Sequence, residues 1–586
     1  MSGVEPLGHG IEGSQNRSRI QLALESAAVV SDEREIADPI VPIGHRDGIY
    51  YLLSPAGELR SMRAEALESG RGVVALLSGV NSATDDWCRT NFPDQKTSWS
   101  PKRAGLWIIE ACNRQGIFDP NSAELRSVGV WRDARQNAFV HCGQRLIYAD
   151  GKTSPVNERH EGFLVVAGPA IDSPTPSQAL KNGDLHIFLQ DMRRAWGWKR
   201  DKDAEIVLGW IAMASLGGFP RKRPHLYVNG PRGSGKSTLL SIANSLLGDM
   251  SGSVITDATE AALRQSRNNQ ARPVLIDEFE PEADPRTAAK HNNLFFILRS
   301  MYDGVGAQIQ RGGADHKSVG FRMTGAAYLT SINHIELPPQ DRSRFAMIEL
   351  GKHPVGSEAV NSLKCFQRVC AFTERNRNAV LNRMLSQSVR WDETVGALTQ
   401  QAISLGADMR QADTAASIVA GLDCLLFDER IGAERLKDHG PHLSYLINDT
   451  AGVAECSAGH DVLDHLLTQI VYLDRGVRRS VRELINSAMD GEPYETAEHP
   501  ARALSRHGIV LLQERRKLAV RTGSSASKEI FTGSAWQNGA HVSALLQLNG
   551  AQKPPNPVRL PFLGQGRVVL VPLEHVLDAS NDQIPC

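Results

Sequence analysis

Eight consecutive residues, Gly230-Pro231-Arg232-Gly233-Ser234-Gly235-Lys236-Ser237, carry glycines, a lysine and a hydroxyl in the spacing GxxxxGK[ST]. Glycines at these positions let backbone N–H groups close around a phosphate. A helix opening behind them turns its positive end to the same anion. Lys236 is placed to reach the outer phosphates of ATP, Ser237 to ligate Mg2+, and Thr238 to complete the cradle. Further on, Pro273-Val274-Leu275-Ile276 is an apolar run ending in Asp277-Glu278. Asp277 suits the magnesium shell and Glu278 suits polarising a water for attack.

Two more segments fit hydrolysis rather than passive binding. Thr330-Ser331-Ile332-Asn333 closes the next apolar run, and the Asn333 amide can hold water or the γ-phosphate opposite Glu278; the plainer alternative is a turn residue. Asp341-Arg342-Ser343-Arg344-Phe345 leads into an apolar run over 346–350. A guanidinium at that place can reach a neighbouring subunit's γ-phosphate, the alternative being a surface ion pair. Arg344 abuts the run and is the first candidate; Arg342 is the second.

These residues need a frame. His225–Asn229 reads as a strand before the loop and Lys236–Leu247 as a helix after it, and 273–276 and 326–332 read as buried strands. That βα alternation predicts a covered parallel sheet. Upstream, 48–53 and 58–62 flank Ser-Pro-Ala-Gly as a hairpin, 102–115 has helical apolar spacing, and 126–131 with 138–142 reads as a strand pair. Four prolines among mostly polar residues mark 151–180 as a linker, with 163–166 as a stray strand inside it. Helices follow at about 183–197 and 203–216. Residues 355–440 are helical. Two helices near 478–489 and 497–507 precede strands at 509–513 and 517–521, the order of a winged helix. The basic turn Arg515-Arg516-Lys517, with Arg521 nearby and Glu514 offsetting one charge, either touches duplex phosphate or is a solvated face.

The expected fold class is therefore α/β. A parallel-sheet ATPase domain at 181–352 follows a loose N-terminus at 1–38, an α+β domain at 39–150 and the linker. A helical region at 353–460 and a winged-helix-like domain at 461–586 complete the chain.

Composition bounds the function. Lys and Arg number 65 against 66 Asp and Glu, a net charge of −1, so any DNA binding requires locally concentrated positive charge. No long apolar run predicts a membrane span and the first residues lack the layout of a secretion signal, so a cytoplasmic protein with no membrane partner is expected. The 8 cysteines form no CxxC, and Cys365 and Cys370 read as helix core. Within 39–150 no acid pair ends an apolar strand, so no primase chemistry is expected there. His141-Cys142 on a strand reads as core.

The motifs resemble those of AAA+ ATPases, and their order over 230–350 is most similar to the viral superfamily 3 helicases. Gly230–Ser237 (230–237), Asp277-Glu278, Leu298-Arg299-Ser300-Met301-Tyr302-Asp303-Gly304 and the 329–345 segment carry the resemblance. It implies an ATP- and Mg2+-dependent homo-oligomeric ring, a hexamer, working on single-stranded DNA without sequence preference. It also implies a β-hairpin over 307–323 that projects into the ring's channel. The tip here bears Asp315-His316-Lys317, where the family has a Lys-His pair that grips DNA, and Arg311 adds to His316 and Lys317. The flanks resemble prophage-type replication ATPases, which implies a helicase or translocase of a prophage or mobile element working beside a separate primase or initiator. The alternative is an AAA+ switch or remodeller that assembles on DNA or protein without unwinding.

Overall fold

The computed structural model describes residues 38–578 apart from 122, 157–161, 176–178, 257, 281–284, 304–308, 313–317, 333–336, 338, 354–356, 455–457, 474–476, 491–498 and 535. The chain divides into two compact units, Met1–Ile447 and Asn448–Cys586.

The first unit opens with an antiparallel sheet of β1 (Val41–Arg46), β2 (Ile49–Leu53) and β3 (Leu59–Arg63). The turn between β2 and β3 closes through Gly57 N–H donating to the Ser54 carbonyl at 2.8 Å. Helix α1 (Pro101–Gln115) starts where the Ser100 hydroxyl accepts from the Arg103 N–H, with proline in its first turn. Leu52, Trp87, Ile108 and Cys112 form a core under this sheet. A second antiparallel sheet runs in the order β7 (Thr153–Pro155), β6 (Arg145–Tyr148), β5 (Ala138–His141), β4 (Gly129–Arg132). His141 is buried in it, Nε2 lying 2.9 Å from the Val166 carbonyl.

The segment 151–180, expected as a linker, is partly packed. Leu164–Val165 pairs in parallel with Leu125–Arg126, and the Phe163 ring stacks on Phe139 at 5.8 Å. Burying Phe163 and Val165 contributes about 1.5–3 kcal/mol each, enough to hold a proline-rich stretch against a core.

Helices α2 (Asn182–Ala195) and α3 (Asp203–Ser215) follow. The central sheet then forms from β8 (His225–Asn229), β9 (Val274–Ile276), β12 (Ala327–Ser331) and β13 (Phe345–Glu349), in the order β9-β12-β8-β13, every pairing parallel. Between them lie α4 (Lys236–Leu247), α5 (Pro285–Asp303) and the antiparallel pair β10 (Ile309–Gly312) and β11 (Ser318–Phe321). The strands are nearly continuous apolar runs because both faces are covered. Behind the sheet α3 is buried over its whole length, and Trp210 Nε1 donates to the Pro224 carbonyl at 2.9 Å while its ring meets Tyr328 edge-on.

A helical region completes the unit: α6 (Ser357–Arg375), α7 (Ala379–Gln387), α8 (Trp391–Ser404), α9 (Met409–Leu426) and α10 (Ala433–Ala454), in which the division between units falls. Helix α9 approaches α3 so closely that a Cβ on Gly421 would sit 2.2 Å from the Gly209 carbonyl.

The second unit contains α11 (Ala458–Thr468), the short strand pair Ile470–Tyr472 and Arg478–Ser480, α12 (Val481–Asp490) and α13 (Pro500–Arg506). A three-stranded antiparallel sheet follows, β14 (Ile509–Leu512), β15 (Lys517–Arg521) and β16 (Val568–Pro572). Leu484, Leu504, Ile509, Val520 and Val569 lie in its core. Among the described residues no helix is long and apolar enough to cross a membrane.

Candidate active site

Parallel pairing aligns the carboxyl ends of the central strands: Asn229 lies opposite both Ser331 and Glu349, and Ile276 opposite Leu329. Loops leaving this edge converge on one place, as in open parallel sheets generally. The glycine loop leaves β8 and enters α4 at Lys236. Gly235 adopts φ +87°, and a Cβ there would lie 2.7 Å from Trp196 Nε1, so only glycine fits. The Trp196 indole N–H donates to the Gly235 carbonyl at 3.2 Å, fixing the loop from the segment that follows α2.

Lys236 is buried, and its Nζ donates to the carbonyls of Gly230 at 2.6 Å and Pro231 at 3.1 Å. Burial lowers its pKa from the ordinary lysine value, with Glu280 and Asp277 pulling the other way. A buried ammonium needs compensation. Here two loop carbonyls supply it, and an anion entering the loop is chemically suited to replace them.

The acids sit one strand away. Ser237 Oγ donates to Asp277 Oδ1 at 3.5 Å. Asp277 Oδ1 also accepts from the Thr330 hydroxyl and, at 3.1 Å, from the Glu278 N–H. Glu278 has φ +57°, a left-handed backbone that costs a non-glycine residue roughly 1–3 kcal/mol and clusters at functional sites. The neighbouring strand holds this turn in place: Phe279 N–H donates to the Thr330 carbonyl at 2.7 Å, and Ile332 N–H donates to Glu280 Oε1. Lys236, Ser237, Asp277 and Glu278 are thus gathered at one sheet edge, with Gly230, Pro231, Arg232, Gly233, Ser234 and Thr238 on the same loop and first helical turn.

Three participants did not stand out in the sequence. Thr330 is buried and orients Asp277, Glu280 joins Asp277 as a second carboxylate acting on Lys236, and Trp196 braces Gly235. Thr330 ends an apolar strand, a signal as good as the one that singled out Asn333.

Arg342 and Arg344 are not brought to this edge. The Arg344 carbonyl accepts from His225 N–H at 2.9 Å, at the start of β8. Its guanidinium lies 5.6 Å from the Tyr302 ring centre, and burial and then Arg410 lower its pKa. Arg342 ends a short helix, Pro339–Arg342, anchored by the buried Asp341, whose Oδ2 accepts from Arg299 Nη2 at 2.7 Å. Asn333, His316 and Lys317 lie outside the described residues. Arg311 lies in β10, whose pairing with β11, from Ile309 opposite Phe321 to Gly312 opposite Ser318, gives the expected hairpin stem.

No family model matches the chain, and no curated protein matches it. Among solved structures it is similar to "SCCmec type IV Cch - active helicase" at 14% identity, covering 93% of this chain and 96% of that one, with a TM-score of 0.47. The apo NrS-1 C-terminal region matches at 11% identity over 94% and 98%, with a TM-score of 0.31. A full-length MCM homolog from Methanopyrus kandleri matches at 12% identity over 55% and 76%, with a TM-score of 0.27. All three scores lie below 0.5, too low to assign a fold.

Proposed function

We propose that this chain is an ATP-hydrolysing DNA helicase or translocase whose active sites form between subunits of a homo-oligomeric ring. The convergence of Lys236, Ser237 and Asp277 at the carboxyl edge of a parallel sheet carries the reading. The loop N–H groups and the start of α4 receive the phosphates of ATP, and the Lys236 ammonium exchanges the Gly230 and Pro231 carbonyls for phosphate oxygens.

Mg2+ fits the donors present, because Ser237 and Asp277 offer one hydroxyl and one carboxylate side by side, and magnesium bound with a nucleotide needs few protein ligands. When bound, it neutralises charge developing on the phosphates. Glu278 accepts the proton of the attacking water, its carboxylate set by the strained turn that Thr330 holds. Asn333 orients that water. Arg344, from the neighbouring subunit, stabilises the charge on the transferred phosphoryl group. Arg311, His316 and Lys317 grip single-stranded DNA through its phosphates.

Phosphate release from ATP, measured with and without single-stranded DNA, tests this. ATP hydrolysis that requires Mg2+ and rises with DNA supports the reading. Hydrolysis indifferent to DNA replaces the helicase with a switch, and no hydrolysis at all removes the enzyme.

A further inference from the structure

Two buried guanidinium groups meet at the end of α4 farthest from the glycine loop. The helix spans roughly 18 Å and runs on into a short turn, Gly248–Met250. Arg272, just before β9, is fully engaged there. Its Nε donates to the Met250 carbonyl at 3.0 Å, its Nη2 to the Asp249 carbonyl, and its Nη1 to Gln270 Oε1 at 3.2 Å. Arg267, the last residue of the helix Glu260–Arg267, is only 8% exposed, and its Nη2 donates to the Ser251 carbonyl at 2.6 Å. Its Nη1 is buried and has no hydrogen-bond partner among the described residues.

Charge is left over as well. Burial and then the neighbouring Arg272 push the Arg267 pKa down to about 10, and among the described residues no carboxylate opposes them. Asp249 acts on Arg272, but its Oδ2 already accepts from the Asp172 N–H at 2.9 Å and its Oδ1 lies 3.8 Å from Arg377. Carbonyls at the helix end account for Arg272 and leave Arg267 a buried cation that an anion would stabilise. The backbone beside it is shaped for one. Ser251 is right-handed, at φ −84° and ψ −31°, and Gly252 follows at φ +68°. Successive residues of opposite hand turn their N–H groups into a concavity that takes anions. The N–H groups of Gly252 and Ser253 donate to no acceptor among the described residues. A Cβ on Gly252 would lie 3.0 Å from Arg267 Nη2, 3.1 Å from Arg272 Nη2 and 3.6 Å from Arg267 Nη1. Ser253 is exposed and Gly252 half-buried, so the place opens to solvent.

We infer that Gly252, Ser253, Arg267 and Arg272 form a second phosphate site, at the opposite edge of the central sheet from the glycine loop. A dianion matches the two guanidinium charges, and a tetrahedral phosphate matches donors arriving from a backbone turn on one side and an arginine fork on the other. The free ion and the terminal phosphate of a nucleotide share this chemistry. From Gly252 the chain runs to Ile255, which bridges Ile276 and whose carbonyl accepts the Asp277 N–H at 2.9 Å. An anion that orders this segment therefore steadies the flank of Asp277. The site stands whether or not the chain hydrolyses ATP.

The test dialyses the full-length chain against radiolabelled inorganic phosphate in sulfate-free buffer. The glycine loop also suits phosphate, so the parent is expected to bind two ions and the Lys236→Ala chain to retain one. Gly252→Ala places a methyl among the guanidinium nitrogens, and Arg267→Lys keeps the charge but loses the unpartnered arm of the fork. Each, added to Lys236→Ala, is expected to weaken the retained phosphate by roughly ten- to a hundredfold. AMP that displaces this phosphate assigns the site to a nucleotide's terminal phosphate, and AMP without effect assigns it to the free ion; either result supports the inference. Amide hydrogen exchange reads the site without a substitution in it: in the Lys236→Ala chain, saturating phosphate is expected to slow exchange at Gly252 and Ser253 several-fold. No phosphate retained by the Lys236→Ala chain, or phosphate retained undiminished by both site variants, overturns the inference. So does unchanged exchange at Gly252 and Ser253, the measurement that decides the matter if the site variants fail to fold. A Lys236→Ala chain that still binds two phosphates contradicts the role of the glycine loop and leaves the second site standing.

Discussion

Arg344 and Lys236 occupy opposite ends of the central sheet: the Arg344 carbonyl pairs with His225 N–H at the start of β8, and Lys236 follows the loop that leaves the strand's far end. The strand separates those ends by roughly 13 Å. An arginine side chain directed over Tyr302 does not close that distance, so Arg344 cannot serve the phosphates held by its own chain.

Action across a subunit interface predicts a specific complementation. Arg344→Ala is expected to lower ATP hydrolysis by about 10³-fold or more while nucleotide affinity per subunit changes little. Mixed with Lys236→Ala, which is itself inactive, it should regain part of the activity, because some interfaces then pair an intact loop with an intact arginine. Steady-state phosphate release from co-assembled subunits checks this, and mixed oligomers that remain inactive contradict it.

Glu278→Gln is expected to bind ATP, because Asp277, Ser237 and Lys236 are untouched, but to hydrolyse it about 10²–10⁴-fold more slowly. Equilibrium binding beside single-turnover hydrolysis separates the two effects. Loss of nucleotide binding would contradict the division of roles between the two acids.

Thr330→Val removes the hydroxyl that orients Asp277 and accepts from the Glu278 N–H, with little change of shape. A stability loss of about 1 kcal/mol is expected, together with a higher Mg2+ requirement for hydrolysis. Chemical denaturation and a magnesium titration of activity read these separately. An unchanged magnesium requirement would reduce Thr330 to a structural residue.

Glu205, buried in α3, gives a pH signature. Burial raises its pKa, but His442 at 3.9 Å and Arg193 at 2.7 Å outweigh this and hold the carboxyl at about 2, below the 4.5 of a free glutamate. A depressed carboxyl stabilises the fold above its unfolded pKa, and that contribution, on the order of 3 kcal/mol, is lost as pH falls from about 4.5 through about 2. The stability gap between the parent and Glu205→Gln should therefore narrow over that range in urea unfolding. A gap independent of pH contradicts the assignment.

The sequence carried the central strand and helix well, because the apolar Leu226-Tyr227-Val228 and the helically spaced Leu239, Leu240, Ile242, Ala243, Leu246 and Leu247 lie on either side of a glycine loop. Phe345–Glu349 departs from the expected run over 346–350 by one residue. What sequence spacing does not contain is which strands become neighbours. The order β9-β12-β8-β13 inserts Ala327–Ser331 beside Val274–Ile276, and only then does Thr330 meet Asp277. Trp196 reaches Gly235 by the same kind of non-local contact. Within 151–180 the apolar run at 163–166 marked the strand Leu164–Val165, but neither it nor the prolines around it contain the strand's partner, Leu125–Arg126, or the core that buries Phe163.

Strand displacement on a forked DNA duplex tests the central claim most directly. With ATP and Mg2+, the parent chain is expected to release the labelled strand. The Lys236→Ala chain, matched for folding and oligomeric state, is expected to release none, its hydrolysis lowered by roughly 10²-fold or more. Release by Lys236→Ala at the parent's rate, or ATP hydrolysis by the parent with no strand released on any fork, would contradict the account.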